Sequence, residues 1–324
     1  MERKSAAPDP ALTERLAASL DRLRPPAGRL GLAVSGGPDS LALLILAAAA
    51  MSGGIEAATV DHRLREANAA EAAMVAEICA RLDVPHAVLP VTVDPGNVQA
   101  EARIARYAAL AGWAAERGLA AVATAHHADD QAETLLLRLN RGSGVAGLAG
   151  VRARGVVPGT RLPLLRPLLE WRRAELAEVV TAAGLTAITD PSNVDPRFDR
   201  ARLRAALAQA GWIDVPALAA SAAHLADADA ALDWAAGREW SENVTAEGAG
   251  LTYRPTAPRA IVLRVVTRIV RELDGAEPRG SAVARLCDDL AAGRPGTLGS
   301  LVVRASYAGW SFTRAPQRRT REKV

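Results

Sequence analysis

The chain has 324 residues, a hydrophobic fraction of 50% and a formal net charge of +3, so it can form one to three globular domains with a substantial core. Its two cysteines, Cys79 and Cys287, lie far apart and outside any CxxC pair, which argues against a disulfide framework and a thiolate zinc site. Lysine occurs only at Lys4 and Lys323, so a Walker A loop and an interior Schiff-base lysine are excluded.

Apolar periodicity predicts strands that alternate with helices from residue 30 to residue 141. The predicted strands are 30–34, 55–60, 86–91 and 120–124. The predicted helices are 39–50, 68–82, 98–117 and about 129–141. Strands that alternate with helices of this length indicate βαβ units, and hence an α/β fold with a mainly parallel, doubly wound sheet.

The texture of the chain changes after residue 141. We predict a loop or hairpin insertion over 142–161 and a turn that enters a helix over 166–185. A turn-rich polar segment follows at 189–200. Alanine-rich helices are predicted over 201–240, and a mixture of helices and short strands over 251–316. We therefore predict two domains. The first covers residues 1–212, and a second, smaller α+β domain covers residues 213–324.

The sequence contains no apolar run of the ~18 residues that a bilayer-spanning helix needs. The longest candidate, 41–55, is interrupted by Ser52, Gly53 and Gly54. The N-terminal run MERKSAAPDP lacks the apolar core of a secretory signal. We therefore expect a cytoplasmic protein with no membrane partner.

The run LAVSGGPDSLALL, at 32–44, interrupts an apolar segment where the first strand passes into the first predicted helix. Backbone N–H groups converge in such a turn, and the helix dipole favours negative charge there. Gly36 and Gly37 let the backbone approach a phosphate closely, and Pro38 suits the first helical turn. The run is a candidate anion site, and an ordinary turn with Asp39 as N-cap is the alternative.

Polar residues also follow the second predicted strand and lie on a later helix. The run VDHRLR places Asp61 and His62 at a strand end, the edge where ligands bind in open α/β sheets. The run EARIARYAAL places Arg103 and Arg106 on one helix face. For these arginines a solvated face is the alternative.

The run AHHADDQAETLLLRLNRGSG follows the fourth predicted strand and has the densest polar cluster of the chain. Helix capping by Asp129 or Asp130, with Glu133 favoured by the helix dipole, accounts for some of these residues. Capping does not account for the histidines His126 and His127 as well. A magnesium ion carried by a nucleotide would suit the carboxylate oxygens.

Taken together, SGGPDS, VDH, ARIARY, HHADDQAET, RGSGVAGL, RPLL and DPSN resemble the tRNA(Ile)-lysidine synthetases, a family of PP-loop N-type ATP pyrophosphatases. The order and spacing match over roughly residues 28–204, and GTLGSLVVR at 296–304 resembles the small C-terminal domain of the family more loosely. The resemblance implies a PP-loop ATPase fold of the adenine nucleotide alpha hydrolase type. It also implies that residues 1–212 are the catalytic domain and that residues 213–324 are an accessory domain for tRNA binding. The run FDRARLR departs from the pattern, because Ala201 stands where an asparagine is expected.

The resemblance implies an ATP-dependent ligase that forms a C–N bond. Such enzymes adenylylate the C2 oxygen of the wobble cytidine of tRNA(Ile) with a CAU anticodon, release pyrophosphate, and let L-lysine displace AMP to give lysidine. ATP and Mg²⁺ are the implied cofactors, and a homodimer is one assembly that the family allows. Alternatives are a tRNA thiolase, which usually carries cysteine pairs that this chain lacks, an amidotransferase, and a non-enzymatic nucleotide- or RNA-binding subunit.

The resemblance also implies roles for individual residues. Catalysis is expected of Asp39, Arg106, His126 and Asp130, with Asp39 also a metal ligand. ATP binding is expected of Ser35, Gly36, Gly37, Pro38, Asp39, Ser40, Asp61 and His62. Lysine binding is expected of Asp130 and Glu133.

Arginines with interleaved aromatic residues follow the predicted catalytic sheet, a pattern that suits phosphate contact and base stacking. The aromatic residues are Trp171 and Phe198. The arginines predicted to bind tRNA are Arg141, Arg166, Arg172, Arg173, Arg200, Arg202 and Arg204. The alternative is the ordinary surface of an arginine-rich protein.

Overall fold

A computed structural model describes residues 8–62, 67–92, 98–188, 195 and 197–315. The chain divides into two compact units, Met1–Ala226 and Asp227–Val324. The predicted domain bounds, 1–212 and 213–324, and the predicted roles of these domains in catalysis and tRNA binding stay predictions. The DPSN run and the arginines of VDHRLR lie outside the described residues.

The first unit contains a six-stranded sheet in the part of the chain that is described. Its strands are β1 (Leu30–Ala33), β2 (Ile55–Asp61), β3 (His86–Pro90), β4 (Ala121–Ala123), β5 (Arg154–Val156) and β6 (Pro163–Leu165). Their order is β3-β2-β1-β4-β6-β5, and every neighbouring pair is parallel except β5 and β6. The predicted mainly parallel α/β sheet is thus confirmed.

Helices cover both faces of this sheet. The helices from residue 10 to residue 209 are α1 (Pro10–Leu23), α2 (Pro38–Ala50), α3 (Ala67–Arg81), α4 (Val98–Arg117), α5 (Ala128–Asn140), α6 (Val145–Leu148), α7 (Arg173–Ala182) and α8 (Asp199–Gln209). The boundary between the two units falls within the next helix, α9 (Val215–Asn243). The sequence analysis did not predict α1, in which Asp9 accepts a hydrogen bond from the N–H of Ala11 as N-cap. Helix α8 ends before Gly211, and Pro216 lies in the first turn of α9, where proline is tolerated.

The hydrophobic core forms two clusters, one on each face of the sheet. On one face α2 is buried almost all round, because it packs against the sheet, α1 and α7. On the other face Tyr107, Leu110 and Trp113 of α4 pack against β4 and β6. A doubly wound sheet of this kind leaves the carboxyl ends of its strands for ligands.

The strand order reverses between β1 and β4. β2 and β3 extend the sheet on one side of β1, whereas β4 and β6 extend it on the other. In open α/β sheets the crevice at such a reversal is where ligands bind. Here the SGGPDS run follows β1 and the histidine-rich run follows β4, so the two most polar motifs of the chain begin side by side.

The second unit is built on an antiparallel sheet of β7 (Val244–Glu247), β8 (Gly250–Tyr253), β9 (Gly296–Leu298), β10 (Leu301–Ser306) and β11 (Gly309–Arg314). The order within the described residues is β7-β8-β11-β10-β9. Helices α10 (Arg259–Asp274) and α11 (Gly280–Ala291) cover one face, where Val266, Ile269 and Phe312 are fully buried. The predicted smaller α+β region is confirmed. Over the described ranges, no helix has the length and apolarity that crossing a membrane requires.

We predict that Gly31→Ala destabilises the first unit. A Cβ at Gly31 would lie 2.7 Å from Cζ3 of Trp113 and 2.9 Å from Cδ1 of Leu119, so α4 would have to move away from β1. The expected loss is about 1–3 kcal/mol of unfolding free energy in urea. Gly112→Ala is the control, because Gly112 is an exposed position of α4 and a Cβ there would meet no atom within 4 Å. It should raise the unfolding free energy by about 0.5–1 kcal/mol. Equal effects of the two substitutions would contradict the packing argument.

Candidate active site

The turn between β1 and α2 is shaped by hydrogen bonds among its own residues. Ser40 Oγ accepts a hydrogen bond from the N–H of Ser35 at 3.1 Å and donates one to the carbonyl of Gly37 at 3.0 Å. Helix α2 begins at Pro38 with Gly37 as N-cap, and no side chain caps it. The predicted alternative, Asp39 as N-cap, is therefore wrong. An uncapped helix start beside a glycine turn is suited to bind an anion.

The two glycines of the turn are required for different reasons. Gly36 has a φ of +82°, which favours glycine, and a Cβ there would lie 2.3 Å from Cδ1 of Ile188. Gly37 has a φ of −70°, and a Cβ there would meet only Ser35 Oγ at 3.7 Å. The protein itself thus needs glycine at position 36, whereas position 37 has room that a ligand could occupy.

The two carboxylate oxygens of Asp39 have different surroundings. Its Oδ2 lies 3.4 Å from Nε2 of His127, and its buried Oδ1 has no hydrogen-bond partner in the described structure. No cluster of three or more metal-binding side chains occurs in the residues that are described. A carboxylate oxygen without a partner at the start of α2 fits Mg²⁺, which typically takes one or two carboxylates plus phosphate oxygens and water.

His127 is fully buried at the N-cap of α5, among three carboxylates. Its ring nitrogens lie 3.4–3.6 Å from oxygens of Asp39, Asp129 and Asp130. These distances are long for hydrogen bonds, so the attraction is mainly electrostatic. Burial alone would lower the pKa of His127, but Asp129, Asp39 and Asp130 outweigh it and raise the pKa to about 9. We conclude that a cationic His127 joins the start of α2 to the start of α5.

Asp130 and Asp129, next to each other in the first turn of α5, have different surroundings. Asp130 accepts hydrogen bonds from the N–H of His127 at 3.2 Å and from Arg200 at 3.1 Å. Asp129 accepts a bond from the N–H of Arg173 at 2.8 Å and others from the Arg172 side chain, so it fastens α5 to the start of α7. Burial would raise the pKa of Asp129, but His127 and Arg172 hold it well below its usual range.

Glu133, one turn further along α5, is buried and bound by three arginines. Arg173 and Arg204 donate to its Oε1 at 3.1 and 2.9 Å, while Arg200 donates to its Oε2 at 2.7 Å. Burial would raise the pKa of Glu133, but Arg204 and Arg200 lower it. These contacts fit an anchor for α7 and α8. The predicted lysine-binding role of Glu133 stays a prediction.

A basic group lies at the ends of β4 and β6. Nδ1 of His126 lies 2.9 Å from Oγ1 of Thr124, and Arg166 directly follows β6. Burial, together with the charges of Arg166, Arg106 and other arginines, lowers the pKa of His126 to about 3. His126 is therefore neutral at physiological pH. A neutral imidazole beside arginines can orient a substrate without adding charge.

At the end of β2, Asp61 and His62 are half-buried. Burial and then the charge of Arg106 lower the pKa of His62, although Asp61 raises it. Nδ1 of His62 is buried and has no hydrogen-bond partner in the described structure. The ATP-binding assignment of both residues stays a prediction.

The arginines predicted to bind tRNA fall into three groups. Arg172, Arg173, Arg200 and Arg204 are held by the carboxylates of α5. Arg141 and Arg202 are exposed and contact Asp199. Arg166 is 92% buried. The expectation that Trp171 stacks bases is wrong, because its ring is fully buried beneath Arg15.

Comparisons with known proteins agree with this geometry. The PP-loop domain family matches residues 9–210 of the chain. A tRNA(Ile)-lysidine synthase of Novosphingobium aromaticivorans is 49% identical over 298 residues, which cover 91% of each chain. This chain belongs to the PP-loop family of tRNA(Ile)-lysidine synthases. The suspected family is thereby confirmed.

A second relative and a solved structure extend the comparison. The tRNA(Ile)-lysidine synthase of Zymomonas mobilis is 42% identical over 301 residues, which again cover 91% of each chain. A U34-tRNA thiolase from Methanococcus maripaludis superposes with a TM-score of 0.53 over 66% of this chain and 76% of its own, at 15% identity. That likeness indicates the PP-loop fold alone.

Sequence reasoning missed the roles of His127, Asp129 and Tyr107. The signal for His127 was its place directly before an apolar helix, where a buried side chain can meet the first-turn carboxylates. Tyr107 lies beside Arg106 in the run ARIARY, but its burial under two arginines depends on how α4 packs on the sheet. Such contacts arise from tertiary structure and leave no local pattern.

We predict that Gly36→Ala abolishes measurable ATP binding and that Gly37→Ala weakens it because the added methyl group occupies the space of the phosphate. The first change strains the backbone and clashes with Ile188, whereas the second is tolerated by the protein itself. Isothermal titration with ATP and thermal melting of each variant measure this. Gly37→Ala should melt like the wild type yet bind ATP at least tenfold more weakly. Unchanged ATP affinity in Gly37→Ala would argue against this turn as the phosphate site.

We predict that His127 makes stability depend on pH between about 6.5 and 9. Its pKa is raised in the folded protein, so its stabilisation is full below pH 6.5 and is lost as pH rises through about 9. The wild type should lose on the order of 3 kcal/mol of unfolding free energy across this window, without nucleotide or magnesium. His127→Gln should have a flat profile there, while the control His86→Gln keeps the decline. A flat wild-type profile would contradict a cationic His127.

Proposed function

We propose that this protein joins L-lysine to C2 of the wobble cytidine of tRNA(Ile) with a CAU anticodon, and consumes ATP to give lysidine, AMP and pyrophosphate. The observation that carries the proposal is the 3.4 Å contact between Asp39 of the phosphate-type turn and His127 of the acidic α5 start. This contact supports the proposal because it joins a turn suited to phosphate to a helix start suited to an amino-acid ammonium. Relatives that are named tRNA(Ile)-lysidine synthases and match nearly the full chain support it.

The turn at 35–40 would hold the pyrophosphate end of ATP through main-chain N–H groups. Its Pro38 fixes the first helical turn, and Ser40 braces the loop through Ser35 and Gly37. Asp39 Oδ1 would hold Mg²⁺, which when bound neutralises phosphate charge and stabilises the leaving pyrophosphate. Adenosine would lie towards Asp61 and His62, at the end of the neighbouring strand β2.

In the first step the C2 oxygen of the cytidine attacks the α-phosphorus of ATP. An oxygen–phosphorus bond forms, the bond from the α-phosphorus to the bridging oxygen breaks, and pyrophosphate leaves. Arg106 would stabilise the charge that develops on the α-phosphate, and neutral His126 would hold the base or the phosphate by a hydrogen bond. Alignment by fixed side chains is a large part of such catalysis.

In the second step an amine of lysine attacks C2, a carbon–nitrogen bond forms, and the carbon–oxygen bond to AMP breaks. Asp130 would hold the lysine ammonium and take its proton before attack. Arg200 holds one oxygen of Asp130 at 3.1 Å, which fixes the direction of the carboxylate. Glu133 would serve this step indirectly, by holding Arg200 and Arg204 in place.

The tRNA would be bound by exposed arginines of α5 and α8, notably Arg141 and Arg202. Phosphate contacts of this kind make affinity fall as salt concentration rises. A cytoplasmic location follows from the proposed substrates, since tRNA is modified inside the cell. The homodimer that the family allows stays a prediction.

A tRNA thiolase is the alternative, and both cysteines argue against it. Cys79 and Cys287 are buried, and burial raises the pKa of their thiols to about 12 and about 11. Neither is therefore a ready nucleophile or cluster ligand, because the thiolate is the reactive form. They also belong to separate hydrophobic cores.

One assay tests the proposed function. The protein is incubated with ATP, Mg²⁺, labelled lysine and tRNA(Ile) bearing a CAU anticodon, and label in the tRNA is counted against AMP and pyrophosphate. Equal amounts of the three products support the ligase. If no lysine is incorporated and modification of the tRNA requires a sulfur donor, the protein is a thiolase and the proposed function is wrong. If modification requires glutamine instead, the protein is an amidotransferase.

We predict that Asp130→Asn separates the two steps. Asparagine can still accept the hydrogen bond from the N–H of His127, but it can neither attract the lysine ammonium nor take its proton. Pyrophosphate release without lysine should stay within about threefold of wild type, while lysine incorporation falls by about 10²-fold or more. Single-turnover assays measure both. Equal loss in both steps, or normal incorporation, would contradict a role of Asp130 confined to lysine.

A further inference from the structure

Three arginines near the proposed site lack an acidic partner within the described residues. Arg103, Arg106 and Arg166 form no ion pair there. The carboxylates of α5, in contrast, bind Arg172, Arg173, Arg200 and Arg204. Nearby cations repel one another and cost free energy unless an anion balances them, so this group is arranged for a ligand that the protein itself does not supply.

The three guanidinium groups surround a buried tyrosine. Cζ of Arg103 and of Arg106 lie 5.0 and 5.2 Å from the centroid of the Tyr107 ring, within the range of cation–π attraction. Nη2 of Arg103 also lies 3.4 Å from the Tyr107 hydroxyl. Burial would raise the pKa of this hydroxyl, but Arg106, Arg103 and Arg166 together lower it. The three arginines thus lie around the side chain of Tyr107.

Arg166 is the most telling member, because it is a charged side chain with only 8% of its surface exposed. Its Nη1 donates to the carbonyl of Arg152 at 2.6 Å, which fixes the guanidinium plane. Its Nε and the Nε of Arg106 are buried without a hydrogen-bond partner in the part of the chain that is described. A buried donor without a partner is costly, and an oxyanion would satisfy it.

The position of Arg166 in the sheet joins it to the catalytic edge. It directly follows β6, and the N–H of Thr124 donates to the carbonyl of Leu165 at 3.0 Å. His126 comes two residues after Thr124, so Arg166 and His126 leave neighbouring parallel strands at the same edge. Ligands of open α/β sheets lie along that edge.

We propose that Arg103, Arg106 and Arg166 form one phosphate-binding site over Tyr107, and that Arg166 is a catalytic residue of the ligase. This inference rests on the proposed function for its catalytic part, though not for phosphate binding itself. Arginine forks match phosphate oxygens two at a time. The phosphate is either the α-phosphate of ATP or a phosphodiester beside the wobble cytidine, since both reach this edge during adenylylation.

Phosphate binding is tested first with inorganic phosphate and no substrate. Thermal melting is followed as chloride is replaced by phosphate at constant ionic strength. The wild type and the control Arg161→Gln, an exposed arginine of the same hairpin, should be stabilised equally. Arg166→Gln and Arg103→Gln should lose that stabilisation. Equal stabilisation of all four proteins would overturn the site, and Arg103→Gln keeps the test valid if Arg166→Gln folds poorly.

The catalytic part is tested by single-turnover pyrophosphate release with tRNA and ATP. Arg166→Gln should be slower by about 10²–10³-fold, Arg166→Lys should recover part of that loss, and Arg161→Gln should stay within about twofold. A normal rate in Arg166→Gln would overturn its catalytic role. If the wild type makes no lysidine but phosphate still stabilises it through these arginines, the proposed function fails and the phosphate site stands.

Two binding measurements identify the source of the phosphate. If it is the α-phosphate of ATP, Arg166→Gln should weaken ATP binding without tRNA by about tenfold and leave tRNA affinity unchanged. If it is a phosphodiester, ATP affinity should be unchanged and the slope of log K for tRNA against log salt should fall by about 0.7. Unchanged affinity for both ligands would contradict the proposal.

Discussion

Because β2 and β3 extend the sheet on one side of β1 and β4 and β6 extend it on the other, the loops after β1 and β4 leave the sheet at neighbouring points. Everything chemical in the first unit depends on that reversal. It brings the start of α2, which has no side-chain cap and follows a glycine turn, next to the start of α5, which is rich in carboxylates. Neither motif could act alone, since one suits phosphates and the other suits a cationic amine.

The acidic and the basic residues of the site differ in whether they have a partner of opposite charge. On the side of α5, the carboxylates contact His127 or arginines from α8 and the start of α7, which fix the directions of the acids. These cations also lower the pKa of Asp129 and of Glu133. On the side of α4, Arg103 and Arg106 have no acidic partner among the described residues and lie against Tyr107 instead. A site with a satisfied acidic half and an unsatisfied basic half is suited to join an amine to a phosphate-activated base.

Much of this arrangement is readable from the sequence. Alternating apolar runs predict the parallel sheet, and SGGPDS and HHADDQAET predict the two helix starts at its edge. The contacts among charged residues are not readable in the same way. Glu133 reads as a free acid in its motif, yet three arginines from α7 and α8 bury it, and Arg166 reads as a surface arginine, yet β5 and β6 enclose it. Helix α1 was missed because its place is set by packing of Leu16 and Leu20 on α2.

The most direct measurement is a crystal structure of the protein with Mg²⁺ and α,β-methylene ATP, which cannot be cleaved at the α–β position. The account predicts β- and γ-phosphates against the main-chain N–H groups of the turn at 35–40, with Mg²⁺ on Asp39. It predicts the α-phosphate on the side of Arg106 and His126. Phosphate density elsewhere on the protein, with the turn empty, would contradict it.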